Sequence, residues 1–184
     1  MDPITLFLEL KIDALNNGRD NAKKTLQFLT NLINQTQKSH TYFIFSDKVS
    51  YRPEPRRQIA KIHEDCYQLF SLQTEGTHRL IKILIFFKGS VHDNFLIRLD
   101  DERQLCEIED IEMGEISNRG IASICLRNLE TILLQTRSAT RIIAGISPHH
   151  YSRRKHLYHF YRKNGYQIKH EVTDMIWGLV EKPL

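Results

Sequence analysis

Ser117-Asn118-Arg119-Gly120-Ile121-Ala122-Ser123 follows a run that reads as a strand and opens a run that reads as a helix. A glycine-containing loop at a helix start aims several free backbone N–H groups at one point. The helix dipole adds roughly half a positive charge there. Such a loop is a device for holding an anion, phosphate above all. The plain alternative is a strand-to-helix turn that uses glycine for tightness. Downstream, Ile121, Cys125, Leu129 and Ile132, with Ala122, Leu126 and Leu133, recur at helical spacing and make a broad apolar face. Upstream, Leu105 to Met113 alternates as a strand, but its phase slips. Cys106 and Ile108 share one face, and Ile111 and Met113 fall out of step with them. If all four point inward, Glu109-Asp110 absorbs one extra residue, which is the mark of a β-bulge. Otherwise one pair faces a second apolar layer.

Further out, Ile4 to Ile12 reads as a strand and Ala22 to Ile33 as a helix. Thr41 to Phe45 is a second strand. Pro53 and Pro55 precede a stripe of Ile59, Ile62, Cys66, Leu69 and Phe70 that predicts another helix, ended by Gly76. Leu80 to Phe87 and Phe95 to Leu99 are strands, with turns at Lys88-Gly89-Ser90 and Asp100-Asp101-Glu102. Arg141 to Ile146 is a short buried-type strand closed by Ser147-Pro148. A helix from about Ser152 to Asn164 follows, with Gly165 placed as a residue of positive φ after its end. Gln167 to Val172 and Met175 to Val180 suggest a last hairpin around Thr173-Asp174. The order implies an α/β (α+β) chain with a mixed, mostly antiparallel sheet flanked by helices, since a helix crossover requires at least one parallel pair.

The 184 residues suffice for one domain with a full core, and 41% hydrophobic content with 26% charge is ordinary for a globular chain. No apolar run approaches the ~20 residues of a membrane helix, and the start lacks the basic region of a signal peptide. The three cysteines have no metal-ligand spacing, which favours buried free thiols in a cytoplasmic setting. His156 and His159 stand three apart with no carboxylate nearby, so no metal site is expected. Net charge is +4. Residues 100–115 are strongly acidic, whereas residues 141–170 carry basic side chains and no acid at all. That pairing suits a cationic substrate beside an anionic cofactor, or simply a solvated surface of cross-paired charges.

A second element matches the first. The helix end Tyr161-Arg162-Lys163-Asn164-Gly165-Tyr166, with Gly120-Ile121-Ala122 before it, resembles the acyl-coenzyme A binding half of the GNAT superfamily of N-acetyltransferases. The likeness covers about residues 104–182. It implies one domain spanning 1–184, with residues 1–103 as the substrate-side half, of which residues 1–75 fit only in outline. Two positions depart from the family pattern: Ser117, where Gln or Arg is usual, and Arg154, where many members carry asparagine.

The resemblance implies an acyl-CoA N-acyltransferase fold and transfer of an acetyl group from acetyl-CoA to an amine by direct attack. Met113, Ser117, Asn118, Arg119, Gly120, Ile121, Ala122, Ser123 and Arg154 would then bind the cofactor. Pantetheine would pair with the strand near Ile111 to Met113. Tyr161 would protonate the departing thiolate, and Glu107 or Glu109, with Glu112 as a third option, would take the proton of the amine. The partners expected are acetyl-CoA, an amine and, as an option, a second copy of the chain; membrane and nucleic acid are not expected. The rival reading is a non-catalytic module of the same fold that binds coenzyme A or a protein.

Overall fold

The computed structural model describes residues 41–51, 62–75, 78–87, 90–111, 113–117 and 119–184. The expected elements over 4–12 and 22–33, the residues from Pro53 to Ile59, the turn glycines Gly76 and Gly89, Glu112 and Asn118 lie outside them.

Among the described residues, eight strands form one sheet in the order β1-β2-β3-β4-β5-β6-β8-β7. They are β1 (Thr41–Tyr51), β2 (Ile62–Glu75), β3 (His78–Phe87), β4 (Ser90–Asp100), β5 (Leu105–Ile111), β6 (Arg141–Ile146), β7 (Gln167–His170) and β8 (Gly178–Pro183). The first five run as an antiparallel meander. The chain then crosses over through helix α1 (Ile121–Thr136), and β6 joins β5 in parallel. A 3₁₀ turn over Pro148–Arg153 leads into helix α2 (Arg154–Lys163), and β7 and β8 close the sheet antiparallel. This is the mixed, mostly antiparallel sheet with helices that the pattern implied.

Cross-strand partners share a face, so the register sorts the side chains. Phe95, Ile97, Leu99, Cys106, Ile108, Ile142, Ala144 and Val180 all fall on one face and are buried there. Helix α1 covers that face. Its Asn128 donates to Asp47 at 2.9 Å and to Gln68 at 2.7 Å, and its Glu130 accepts from Lys182 at 2.7 Å. Gln68 is fully buried, yet its amide donates to Asp47 at 3.2 Å and accepts from Asn128. The polar group therefore pins the helix to the sheet without leaving an orphan.

The expected helix through Cys66 and Phe70 is instead strand β2. Residues four apart satisfy a period of 2 as well as one of 3.6, so Cys66 and Phe70 share a face in either structure. Leu69 completed the helical stripe, but it lies on the opposite face and is buried there as well. Strand pairing on both edges decides the outcome.

The last hairpin also differs. Its strands are Gln167–His170 and Gly178–Pro183, joined by residues 171–177. Backbone donors there have local acceptors. The Thr173 hydroxyl accepts from the N–H groups of Met175 (3.2 Å) and Ile176 (2.9 Å), and the Tyr158 hydroxyl accepts from Val172 N–H. The end of α2 is as expected. Gly165 has φ +85, its N–H donates to the Arg162 carbonyl at 3.0 Å, and Tyr166 N–H donates to the Tyr161 carbonyl at 3.0 Å. That pair of bonds is the Schellman closure, and it requires the left-handed residue that glycine supplies.

Candidate functional site

The parallel ladder between β5 and β6 is short. It runs from Leu105 opposite Arg141 to Ile108 opposite Ala144 and stops. On β5 the next residue is the bulge. Ile108 pairs with Ile97, Asp110 with Leu96 and Ile111 with Phe95, which leaves Glu109 as the inserted residue. The phase slip in the sequence therefore is a bulge, and it restores Ile111 to the covered face. Strand β6 continues through Gly145 and Ile146 on its β8 side alone. Past Ile108 and Ala144, the facing edges of the two strands carry no ladder to each other among the described residues. Beyond that point the two strands do not claim each other's N–H and C=O groups, which makes the split a natural seat for an extended, amide-containing ligand.

The loop that the sequence offers as an anion site leads into the helix that follows. Gly120 is the N-terminal cap of α1 with φ +81 and ψ −2, a left-handed conformation suited to glycine. A Cβ built on it would meet no protein atom within 4 Å. Tight packing is therefore not why glycine stands here; the backbone angle is, and the space above it is open. The first intrahelical bond runs from Ile124 N–H to the Gly120 carbonyl at 3.2 Å. The N–H groups of Ile121, Ala122 and Ser123 precede it and have no acceptor in the helix. The first turn of α1 carries no acidic residue. Donor geometry, dipole and absence of negative charge all favour an anion at this end.

The neighbouring side chains are arranged less simply. The Arg119 guanidinium lies over the Phe87 ring, 5.4 Å from its centroid. Ser117 is exposed, and its N–H donates to the Gly114 carbonyl at 3.2 Å. Met113 is half-buried at the edge of the apolar core, just beyond β5. Arg154 opens α2, donates to the Tyr151 carbonyl at 2.9 Å and lies over the Tyr151 ring at 3.8 Å. Its guanidinium is thus held by the preceding turn.

Tyr161 is buried, 6% exposed, and packs edge-on against Phe160 and Tyr166. Burial, followed by the negative charge of Asp110, pushes its hydroxyl well above the ordinary tyrosine range. The group therefore stays protonated at neutral pH and has a proton to give. That coupling ties α2 to the bulged end of β5. Glu107 lies on the face opposite α1, inside the paired part of β5, and Glu109 forms an ion pair with Arg98. Asp110 lies on that face too, exposed, one residue past the bulge and fully at the split. Sequence reasoning passed it over as a functional residue while locating the slip that positions it. The slip was the signal, because an inserted residue moves the next carboxylate to the face that Glu109 would otherwise hold.

The three cysteines are free and fully buried. Burial raises the Cys66 thiol to about 11 and raises the other two well above the ordinary thiol range, so none offers a thiolate nucleophile at neutral pH. Among the described residues, no helix is long and apolar enough to cross a membrane.

No family model matches the chain, and no curated protein matches it in sequence. Solved structures do match in shape. RimL, a ribosomal L7/L12 α-N-protein acetyltransferase, aligns at TM-score 0.45 and 12% identity over 59% of this chain and 62% of its own. The microcin C7 self-immunity acetyltransferase MccE, solved with acetyl-CoA and AMP, aligns at TM-score 0.44 and 10% identity over 57% of this chain and 61% of its own. This chain therefore spans less than two thirds of the length of either. An acetyltransferase of the GNAT family from Streptococcus pneumoniae aligns at TM-score 0.44 and 15% identity, over 57% of this chain and 67% of its own. The solved structures named here are acetyltransferases, one of them of the GNAT family, and it is to these that the chain is similar.

Proposed function

We propose that this chain is an N-acetyltransferase that moves an acetyl group from acetyl-CoA to an amine by direct attack, with no covalent enzyme intermediate. The observation that carries the reading is the split between the parallel strands β5 and β6, with the open, acid-free N-terminus of α1 following β5 directly. Acetyl-CoA supplies the thioester and an anionic pyrophosphate. The N–H groups of Ile121, Ala122 and Ser123 hold the pyrophosphate, and the free edge of β5 up to Ile111 holds the pantetheine amides by strand addition. A carboxylate of β5 takes the proton of the attacking ammonium. Asp110 is placed best for it, Glu107 next; Glu109 is already engaged by Arg98. Tyr161 gives its proton to the leaving sulfur. The buried thiols take no part, and their reduced state fits a cytoplasmic setting.

Gly120→Glu tests the cofactor site. The substitution puts a carboxylate into the open space over the α1 terminus. Calorimetry is expected to show coenzyme A affinity falling about 30-fold or more, as when a charge-assisted anion site is blocked. Gly120→Ala is the control. It bears the same left-handed backbone, costing about 1 kcal/mol, without the charge, and retains most of the affinity. Equal affinity in the Glu variant and the parent places the cofactor elsewhere. The alternative, a coenzyme A-binding module without chemistry, draws on the departures at Ser117 and Arg154, the latter held by Tyr151. Tight coenzyme A binding with no turnover on any amine would favour it.

A further inference from the structure

Residues 171–177 present three consecutive large apolar side chains to solvent: Met175 at 86%, Ile176 at 63% and Trp177 at 62% exposure. Runs of this kind mark contact surfaces on folded chains. The segment is built rather than loose. Thr173 closes it through its hydroxyl and through an N–H bond to the Ile176 carbonyl at 3.0 Å. Tyr158 holds Val172 at one end. At the other end Gly178 packs so closely that a Cβ there would come within 2.9 Å of the Val172 nitrogen.

The tip is also aimed. A Cβ built on Gly145 would lie 3.3 Å and 3.5 Å from two carbons of the Trp177 six-membered ring. Gly145 is the first residue of β6 past the last β5 partner, Ala144, so the indole rests on the edge of the split. The register gives its side. Glu107 and Ile143 share the face opposite α1, and Gly145, two residues on, shares it as well. Asp110 lies on that same face of β5, across the split. One wall of the mouth is thus a carboxylate and the other an exposed indole set on a glycine that leaves it room.

We infer that Trp177 is the specificity-determining wall of the acceptor site and that the acceptor is a primary amine carrying an aromatic or bulky apolar group. The inference rests on the acyl-transfer reading above. The ammonium faces the carboxylate side, and its organic group lies on the indole, where aromatic contact and apolar burial reward a ring over a short alkyl chain.

The chain contains one tryptophan, so its indole emission reports on this position alone. With coenzyme A present, 2-phenylethylamine is expected to change that emission in a saturable way, and ethylamine at equal concentration is not. In turnover with acetyl-CoA, the parent is expected to prefer 2-phenylethylamine by about tenfold or more in kcat/KM, and Trp177→Ala is expected to bring the ratio close to one. Calorimetry on Trp177→Ala is expected to give the parent's coenzyme A affinity. Gly145→Ala, which crowds the indole without removing it, is expected to reduce the preference part-way. Unchanged emission with both amines overturns the assignment, as does a parent that consumes both equally or a Trp177→Ala variant that keeps the parent's ratio. In those cases turnover itself leaves the acyl-transfer reading standing. A parent that neither binds coenzyme A nor consumes either amine overturns the acyl-transfer reading and the wall with it.

Discussion

Asp110→Asn is expected to lower turnover by about 10²-fold or more while leaving coenzyme A affinity near that of the parent. An amine arrives as its ammonium and attacks only after losing a proton. A carboxylate at the split can accept it, directly or through water. Asp110 qualifies on position: the bulge at Glu109 sets it, exposed, on the face opposite α1 where β5 has left β6, and its charge raises the Tyr161 hydroxyl. The pH dependence has a definite sign. The carboxylate must be ionised to act, so the parent's rate falls on the acid side, and that limb changes in the Asn variant. Glu109→Gln is expected to cost far less, because Arg98 already occupies that carboxylate. Steady-state rates across pH for Glu107→Gln, Glu109→Gln and Asp110→Asn make the comparison. A parent-like Asp110→Asn beside a collapsed Glu107→Gln would move the role to Glu107. Parent-like rates and profiles in all three would remove the β5 carboxylates from the mechanism.

The second large effect is expected at Tyr161. Tyr161→Phe keeps the ring and its edge contacts with Phe160 and Tyr166 and removes only the hydroxyl. A donor role predicts a loss of turnover approaching about 10²-fold, somewhat less than for the base because a thiolate is already a tolerable leaving group. Burial and Asp110 both hold the proton on, so the donor stays loaded through neutral and mildly alkaline pH. The rate therefore has no alkaline limb from Tyr161 near the ordinary tyrosine value of about 10. Melting curves and steady-state rates measured on one preparation separate the cases. A well-folded Tyr161→Phe protein with parent kinetics would leave Tyr161 a core aromatic and nothing more.

What could be read in the sequence followed how local the signals were. The helix after Gly120, the Schellman glycine Gly165 and the strand Arg141–Ile146 each rest on neighbouring residues, and each lies where the pattern put it. The bulge was legible because a phase slip is local as well. The helix expected through Cys66 and Phe70 failed because a four-residue spacing fits both periods, and only the strands on either side of β2 resolve it. Likewise, the orientation of Arg119 depends on Phe87 from another strand, and the contact of Trp177 with Gly145 depends on the register of β6 with β8. Neither can be found from spacing. Asp110 was missed for a related reason: its value comes from where β6 stops pairing, which is a property of two segments at once.

The buried thiols and tyrosines make folding a proton-coupled event in alkali. Burial raises Cys66 to about 11 and shifts Cys106, Cys125, Tyr161 and Tyr166 in the same direction. In the unfolded chain thiols ionise near ~8.5 and phenols near ~10. Below about pH 8 both states hold these protons, and the linkage is silent. Above it the unfolded chain releases them while the folded chain retains them, so each further pH unit favours unfolding by roughly 1.4 kcal/mol per released proton. Urea midpoints are therefore expected to be flat from neutral pH to about 8 and to drop steeply between about 9 and 11, and a flat profile across that window would contradict the burial of these groups. In this range the hydrophobic interior acts as a reservoir that keeps acidic protons out of water's reach, and strong base dismantles the fold by drawing them out.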